Sequence, residues 1–288
     1  MTAESWVILL PLESSIRSKM RSKGVPLSKW NLSINYGIKT GFNDAFIVST
    51  EKKDELIAAD PKSAEIIRPI LRGRDIKRYN YTFAGLWLIA TFPSRHYDID
   101  NYPAIKKHLL SYGIERLEQT GKKHLVNGIE VRARKKTNNK WFETQDSINY
   151  WNDFFEQKIV WGNLCLSAQF ALADEGYFIN APSPMIVPGN KYILAVLNSR
   201  LGNWYIRQLG VTRNGGYFEY KPMFVEQLPV PKIPEIEQSE FISLVDKILL
   251  AKARGESTSL LEEEIDNFVY GLYGLTEAEI DFIANSQH

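Results

Sequence analysis

A chain of 288 residues, 44% hydrophobic and 24% charged, has enough apolar content to bury a real core, which excludes a disordered polymer and allows one large domain or two smaller ones. The single cysteine, Cys165, excludes an internal disulfide and a cysteine metal centre and fits a reducing, cytoplasmic compartment. Four histidines (His96, His108, His124 and His288) lack ligand spacing, so no metal site is expected. No apolar run approaches the roughly 18 residues of a membrane helix. The stretch Trp6–Leu12 is too short for a signal peptide and has no basic leader, so a soluble chain without membrane partners is expected.

The net charge of +1 hides an asymmetry. From Glu235 to His288 there are 12 acidic and three basic residues, a balance of −9, whereas Met1–Pro234 holds 32 basic and 22 acidic residues, a balance of +10. A basic body followed by an acidic tail points the body at a polyanion.

In chain order, Glu13–Lys23 has helical spacing, Ser33–Ser49 is strand-like but broken by Gly37 and Gly41, and Lys52–Ile67 reads as helix. Phe83–Ala90 is a buried strand. Asn101–Gln119 reads as a helix opened by an Asn cap and Pro103. Asn127-Gly128 predicts a hairpin turn between Leu125-Val126 and Ile129–Val131. Short strands are predicted at Lys158–Leu164, Gln169–Ala173, Tyr177–Asn180 and Met185–Val187, and one amphipathic helix at Tyr192–Gln208. The proline-stiffened run Leu228–Pro234 coincides with the charge change and sets a boundary. Two amphipathic helices follow, and a capping box at Thr276–Glu279 starts a third.

Catalytic signatures are missing. No Asn/Asp-Pro-Pro-aromatic loop exists to hold a target amino group, and the chain contains no Pro-Pro pair. It has no Gly-x-Gly-x-x-Gly turn, phosphate-binding loop or nucleophile elbow. Glu51-Lys52-Lys53 and Glu156-Gln157-Lys158 fit half of a metal nuclease pattern, but no Pro-Asp precedes them. A binding module is the expectation.

Four segments carry the chemistry of DNA contact. In Gly37–Asn43 two glycines let amides approach a phosphate, and Lys39, Thr40 and Asn43 supply donors; a glycine-assisted strand bend is the competing reading. Leu71–Tyr79 packs Arg72, Arg74, Lys77 and Arg78 around a glycine, either as phosphate and guanine ligands or as a solvated basic turn, with Asp75 orienting a neighbouring arginine or capping a turn. Lys122–Lys140 surrounds the hairpin turn with Lys122, Lys123, Arg132, Arg134, Lys135, Lys136 and Lys140, and such a hairpin can lie along a groove or stay a solvated loop. Thr212–Lys221 interleaves Arg213, Asn214 and Lys221 with glycines and aromatics, which serve contact or anchor the loop.

Taken together, these segments resemble the TaqI-like C-terminal specificity domain of type IIG restriction-modification enzymes. The likeness runs in order through Gly37–Phe46, Arg68–Tyr79, Tyr102–Ile105, Trp141–Gln145, Lys158–Trp161, Tyr192–Ser199, Leu228–Pro231 and Leu272–Ile280. The resemblance implies double-stranded DNA recognition by this chain. It also implies a partner methyltransferase domain, in the same polypeptide or complex, that methylates adenine with S-adenosylmethionine, often with a Mg2+-dependent endonuclease. Neither cofactor is expected on this chain, which looks like an excised or separate specificity portion.

The expected fold is therefore α+β, with twisted, mostly antiparallel sheets and helices forming a recognition domain over residues 1–234, followed by a helical segment over 235–288. Phosphate neutralisation falls to Lys39, Arg72, Arg74, Lys77 and the hairpin cations, and base reading to Asn43, Arg132, Arg134 or Arg213. Two rivals remain open: a small enzyme with an unfamiliar site, and a protein-interaction module of a phage-defence complex.

Overall fold

The computed structural model describes residues 11–286. Trp6–Leu10 and His288 lie outside them. The chain has the α+β architecture expected from the sequence, layered as helices, sheet, sheet and helices.

The layering follows from one antiparallel sheet that is apolar on both faces. Its strands run in the order Phe170–Ala173, Lys158–Trp161, Pro184–Val187 and Ser33–Tyr36. Successive side chains point to opposite faces. Ile159, Trp161, Phe170, Leu172 and Ile186 therefore enter one core, and Val160, Ala171, Ala173, Met185 and Val187 enter another. A second sheet closes the latter core, in the order Phe178-Ile179, Ile67–Leu71, Leu86–Ile89 and Ile47–Ser49, with only its first pairing parallel. Beyond it, the helices Thr50–Ala59 and Pro103–Leu110 cover a third core around Phe46, Leu56, Ile89, Ile105 and Leu109.

The outer helices of the first sheet differ from the sequence reading in one respect. The expected helix Tyr192–Gln208 is two helices, Lys191–Asn198 and Arg200–Arg207. Ser199 is extended, and its Oγ accepts from the Gly202 N–H and donates to Val196 O. A local hydroxyl bond thus competes with the helical ladder. For the same kind of reason Lys52–Ile67 ends as a helix at Ala59, before Pro61, and Asn101–Gln119 splits at Gly113 (φ +85°) with no Asn cap.

The tail forms the three helices Glu235–Ala253, Ser259–Tyr273 and Glu277–Asn285, the last opened by the expected Thr276/Glu279 capping box. Phe241, Val245, Ile248, Ile265, Val269 and Ile283 share a single core with Ile16, Met20, Tyr192, Leu201 and Val230. Pro234 therefore marks a change of charge and no break in the core. The tail packs on the body, and ion pairs cross the junction: Arg78–Glu262, Lys191–Asp246 at 2.5 Å and Arg200–Asp266 at 3.3 Å.

The helix Pro11–Lys23 joins the same junction through Glu279. That buried carboxylate accepts from Lys19 Nζ at 2.6 Å, Ser15 Oγ at 2.7 Å and the Thr276 N–H at 2.7 Å. Burial by itself raises its pKa, but the Lys19 ammonium and these donors outweigh it and hold the group down to about 2. Because the folded value lies below the ordinary one, this stabilisation is complete above about pH 5 and is lost as the pH falls through about 2. Urea titrations at pH 6 and pH 2.5 should show wild type losing on the order of 2 kcal/mol more than Glu279→Gln. Equal losses would contradict the assignment.

Candidate nucleic-acid interface

The two sheets meet at one end, where backbone crosses backbone. Gly37 donates to Ser183 O at 2.7 Å, Ile38 to Ile179 O at 2.7 Å, and Asn180 to Leu71 O at 2.8 Å. A Cβ on Gly37 would lie 2.5 Å from Ile179 O, so only glycine permits the crossing. A Cβ on Gly73 would meet Ser183 Oγ at 2.7 Å.

Above this crossing opens a cleft of about 830 Å³. Its lining comes from four distant stretches: Asn43–Ile47, Arg72–Lys77, the loop Gly162–Gln169, and Asn180–Ser183, with Tyr217 over one side. A smaller cleft of about 430 Å³ continues it past Lys39, Gly41, Arg116 and Gln145, sharing Asn43, Asp44, Asn180 and Ala181. The wall bearing Tyr217 is a small antiparallel sheet of Leu164-Cys165, Tyr217–Glu219 and Thr212-Arg213.

Arg74 and Lys77 are exposed in the cleft, and their side chains form no hydrogen bond or ion pair among the described residues, although the Arg74 charge helps to hold the Asp75 carboxylate. Arg72 also lines it, but its guanidinium is bidentate to Asp75, at 2.9 and 2.8 Å. Burial alone would raise the Asp75 pKa, yet the Arg72 bonds hold it below the ordinary carboxylate value. Asp75 Oδ2 also accepts from the Arg72 N–H at 2.9 Å, so the carboxylate both orients Arg72 and caps the turn. Asn43 is exposed where the two clefts meet, and Lys39 is exposed in the smaller one, with its Nζ 4.0 Å from Asp146. Arg213 and Lys221 both bind Glu219, at 2.5 and 2.7 Å, while Asn214 is exposed on the neighbouring loop.

Three expected DNA contacts are corrected to internal roles. Thr40 is fully buried, with Oγ1 donating to Asn43 Oδ1 at 2.7 Å and accepting from the Phe42 N–H. Arg78 faces away from the cleft and binds Glu262 and Asn198 O. Arg134 is 2% exposed and donates to Leu117 O, Thr40 O, Glu143 O and Trp141 O at 2.6–2.9 Å, over the Phe46 ring. Its burial, together with nearby Arg116, lowers its pKa to about 10, which still leaves it charged at neutral pH. Lys122, Lys123, Arg132, Lys135, Lys136 and Lys140 are exposed but lie outside the clefts.

Sequence reasoning missed Arg116 and the loop Gly162–Gln169. Arg116 lies within the predicted helix Asn101–Gln119, where nothing in the spacing marks it. The loop begins inside the predicted strand Lys158–Leu164, and its polar groups come together only once folded. Asn163 Oδ1 is buried there without a hydrogen-bond partner among the described residues, a signal that no sequence pattern carries. Cys165, the nearby sulfur, has its pKa pushed up by burial to about 11 and is protonated at neutral pH. No cluster of three metal-ligating side chains and no helix able to cross a membrane occurs among the described residues.

The family model of the TaqI-like C-terminal specificity domain matches residues 68–230, a stretch that includes Arg72–Lys77, the Gly162–Gln169 loop and Tyr217. The chain belongs to this family. The specificity domain is also similar in fold to the type IIL restriction-modification enzyme MmeI, solved in complex with DNA, with a TM-score of 0.64, 16% identity, and coverage of 91% of this chain and 36% of that one. The type IIG restriction endonuclease BpuSI gives a TM-score of 0.48 at 13% identity, covering 91% of this chain and 32% of that one. The specificity domain thus spans about a third of either enzyme. No curated protein matches the chain.

Removing the Arg134 guanidinium takes a donor from four carbonyls, of which only Glu143 O keeps another, from Gln119 Nε2, and unsatisfied buried groups cost about 1–3 kcal/mol each. Arg134→Met should therefore lower unfolding stability by at least about 3 kcal/mol in urea. A loss within about 0.5 kcal/mol, the range of an ordinary surface substitution, would return Arg134 to the list of surface cations.

Proposed function

We propose that this specificity domain reads a sequence in double-stranded DNA for a restriction-modification enzyme, and that the reacting groups sit elsewhere in that enzyme. One observation carries the reading. Four separate stretches of a specificity-domain fold converge on one cleft, and the side chains of two exposed cations there, Arg74 and Lys77, form no hydrogen bond or ion pair among the described residues.

Each residue type has a distinct part. Arg74, Lys77 and Lys39 neutralise phosphates, the contacts that set register and supply most of the affinity. Asn43, Asn163, Gln169 and Asn180 line the groove with amide groups that can both donate and accept. Such groups match the donor–acceptor pattern of adenine and of other base edges. Asn163 Oδ1 lacks a donor among the described residues, so accepting a bond from a base or a bridging water removes a standing cost. Arg72 is held by Asp75 in one planar orientation, which suits a bidentate contact better than a freely rotating side chain does.

In this proposal the partner is an adenine-N6 methyltransferase domain using S-adenosylmethionine, with a Mg2+-dependent endonuclease in the same enzyme. The fold likeness to MmeI, whose structure was solved in complex with DNA, supports the reading without fixing the substrate of this chain.

Phosphate contacts release counterions, so affinity falls steeply with salt. Arg74→Ala/Lys77→Ala should weaken binding to every duplex sequence and reduce the slope of log K against log salt by about 2, with unfolding stability unchanged. Fluorescence-anisotropy titrations at several salt concentrations measure this. An unchanged slope would remove these residues from the interface. Salt-insensitive or absent binding by the unmodified chain would favour the interaction-module alternative.

A further inference from the structure

The hairpin formed by Lys123–Val126 and Ile129–Arg132 is a two-stranded sheet paired to no other sheet. Asn127 (φ +52°) and Gly128 (φ +81°) make its two-residue turn. Lys123 faces Arg132 and Leu125 faces Glu130 on one side, while His124 faces Val131 and Val126 faces Ile129 on the other. Leu125 is 77% exposed and Ile129 68% exposed. The tip therefore carries aliphatic side chains on both faces, held in water beyond the rest of the fold.

Around and below the tip the chemistry changes. Lys122, Lys123, Arg132, Lys135 and Lys136 are exposed at the base and flanks, with Lys123 paired to Glu130 at 2.8 Å. The base is rigidly held. Ala133 N–H donates to Lys122 O, Arg134 N–H to Glu118 O, and Arg116 Nη1 to Arg132 O, while the Arg134 guanidinium locks the following residues into the body. Four residues per strand put the tip about 13 Å beyond its base, more than the roughly 8.5 Å depth of the major groove. Cations at the rim of a groove, and aliphatics flanking the Asn127-Gly128 turn that reaches towards its floor, match a duplex by charge and by depth.

We propose that the hairpin tip is a wedge, with Leu125 on one face or Ile129 on the other entering the base stack and opening one step. This rests on the DNA-reading function above and adds deformation of the duplex to it. Leucine and isoleucine are among the side chains that wedge between base steps, and insertion buries their apolar surface. The basic base supplies the phosphate contacts that hold the wedge in place. The opened step bends and unwinds the duplex, so part of the sequence preference comes from how easily that step deforms.

Unwinding needs no knowledge of the recognition site. A closed circular plasmid is relaxed by a topoisomerase with the 288-residue chain bound, and its linking number is read on a gel while a gel shift gives occupancy. Wild type should lower the linking number in proportion to bound protein. Leu125→Ser/Ile129→Ser should lose more than about half of the change per bound molecule, and Leu125→Met/Ile129→Met should retain it. Wild type that binds without a linking-number change, or a serine variant that unwinds as wild type does, overturns the wedge and leaves DNA reading intact. In those cases the tip touches the groove wall or a protein neighbour instead. Should the serine variant fail to bind, the methionine variant decides: unwinding supports the wedge and its absence overturns it. No binding by wild type overturns both readings.

Discussion

The close crossing of backbone at Gly37, Ile38, Asn180 and Ser183 is the constraint on which the site depends. There the edge of one sheet is stitched to a strand of the other, and a Cβ on Gly37 would collide with Ile179 O. The crossing fixes the end-to-end relation of the two sheets. The loops that leave it, Lys39–Asn43, Arg72–Lys77 and Asn180–Ser183, then share one groove. Function thus begins as a steric matter: a missing side chain lets two main chains approach, and the groove lies over the contact.

Charge is partitioned along the same lines. The basic body is not free to hold a polyanion with all its cations, because the acidic tail claims several of them. Arg78, Lys191 and Arg200 bind Glu262, Asp246 and Asp266, and Lys19 binds Glu279. Other basic residues are internal scaffolding, with Arg134 satisfying four carbonyls and Arg213 and Lys221 sharing Glu219. The cations left at the groove are few. Specific recognition suits such an arrangement, since a uniformly basic surface would bind every sequence alike.

Much of the fold is legible in the sequence where local rules and packing agree. The Asn127-Gly128 hairpin, the strand Leu86–Ile89 inside the predicted run Phe83–Ala90, the tail helices and the Thr276/Glu279 cap all follow from turn chemistry and periodicity. Legibility fails where a single polar side chain redirects the backbone, as Ser199 does in dividing a helix. For the site, the basic run Arg72–Lys77 and Asn43 announce themselves, but the fate of each cation does not. Arg134 sits among lysines in a polar stretch and looks exposed, yet carbonyls from residues up to 94 positions away enclose it. Arg78 belongs to the most basic motif and is taken by a glutamate 184 residues later. Long-range partners of this kind leave no mark in the local pattern, and neither does the convergence of Gly162–Gln169 on the groove.

The central claim is that the groove distinguishes base sequences. Selection of bound duplexes from a randomised pool by this chain, followed by sequencing, tests it most directly. The expected result is enrichment of one short motif whose preference at one or more positions relaxes when Asn163 is replaced by alanine. Retained binding with no enriched motif would contradict the account.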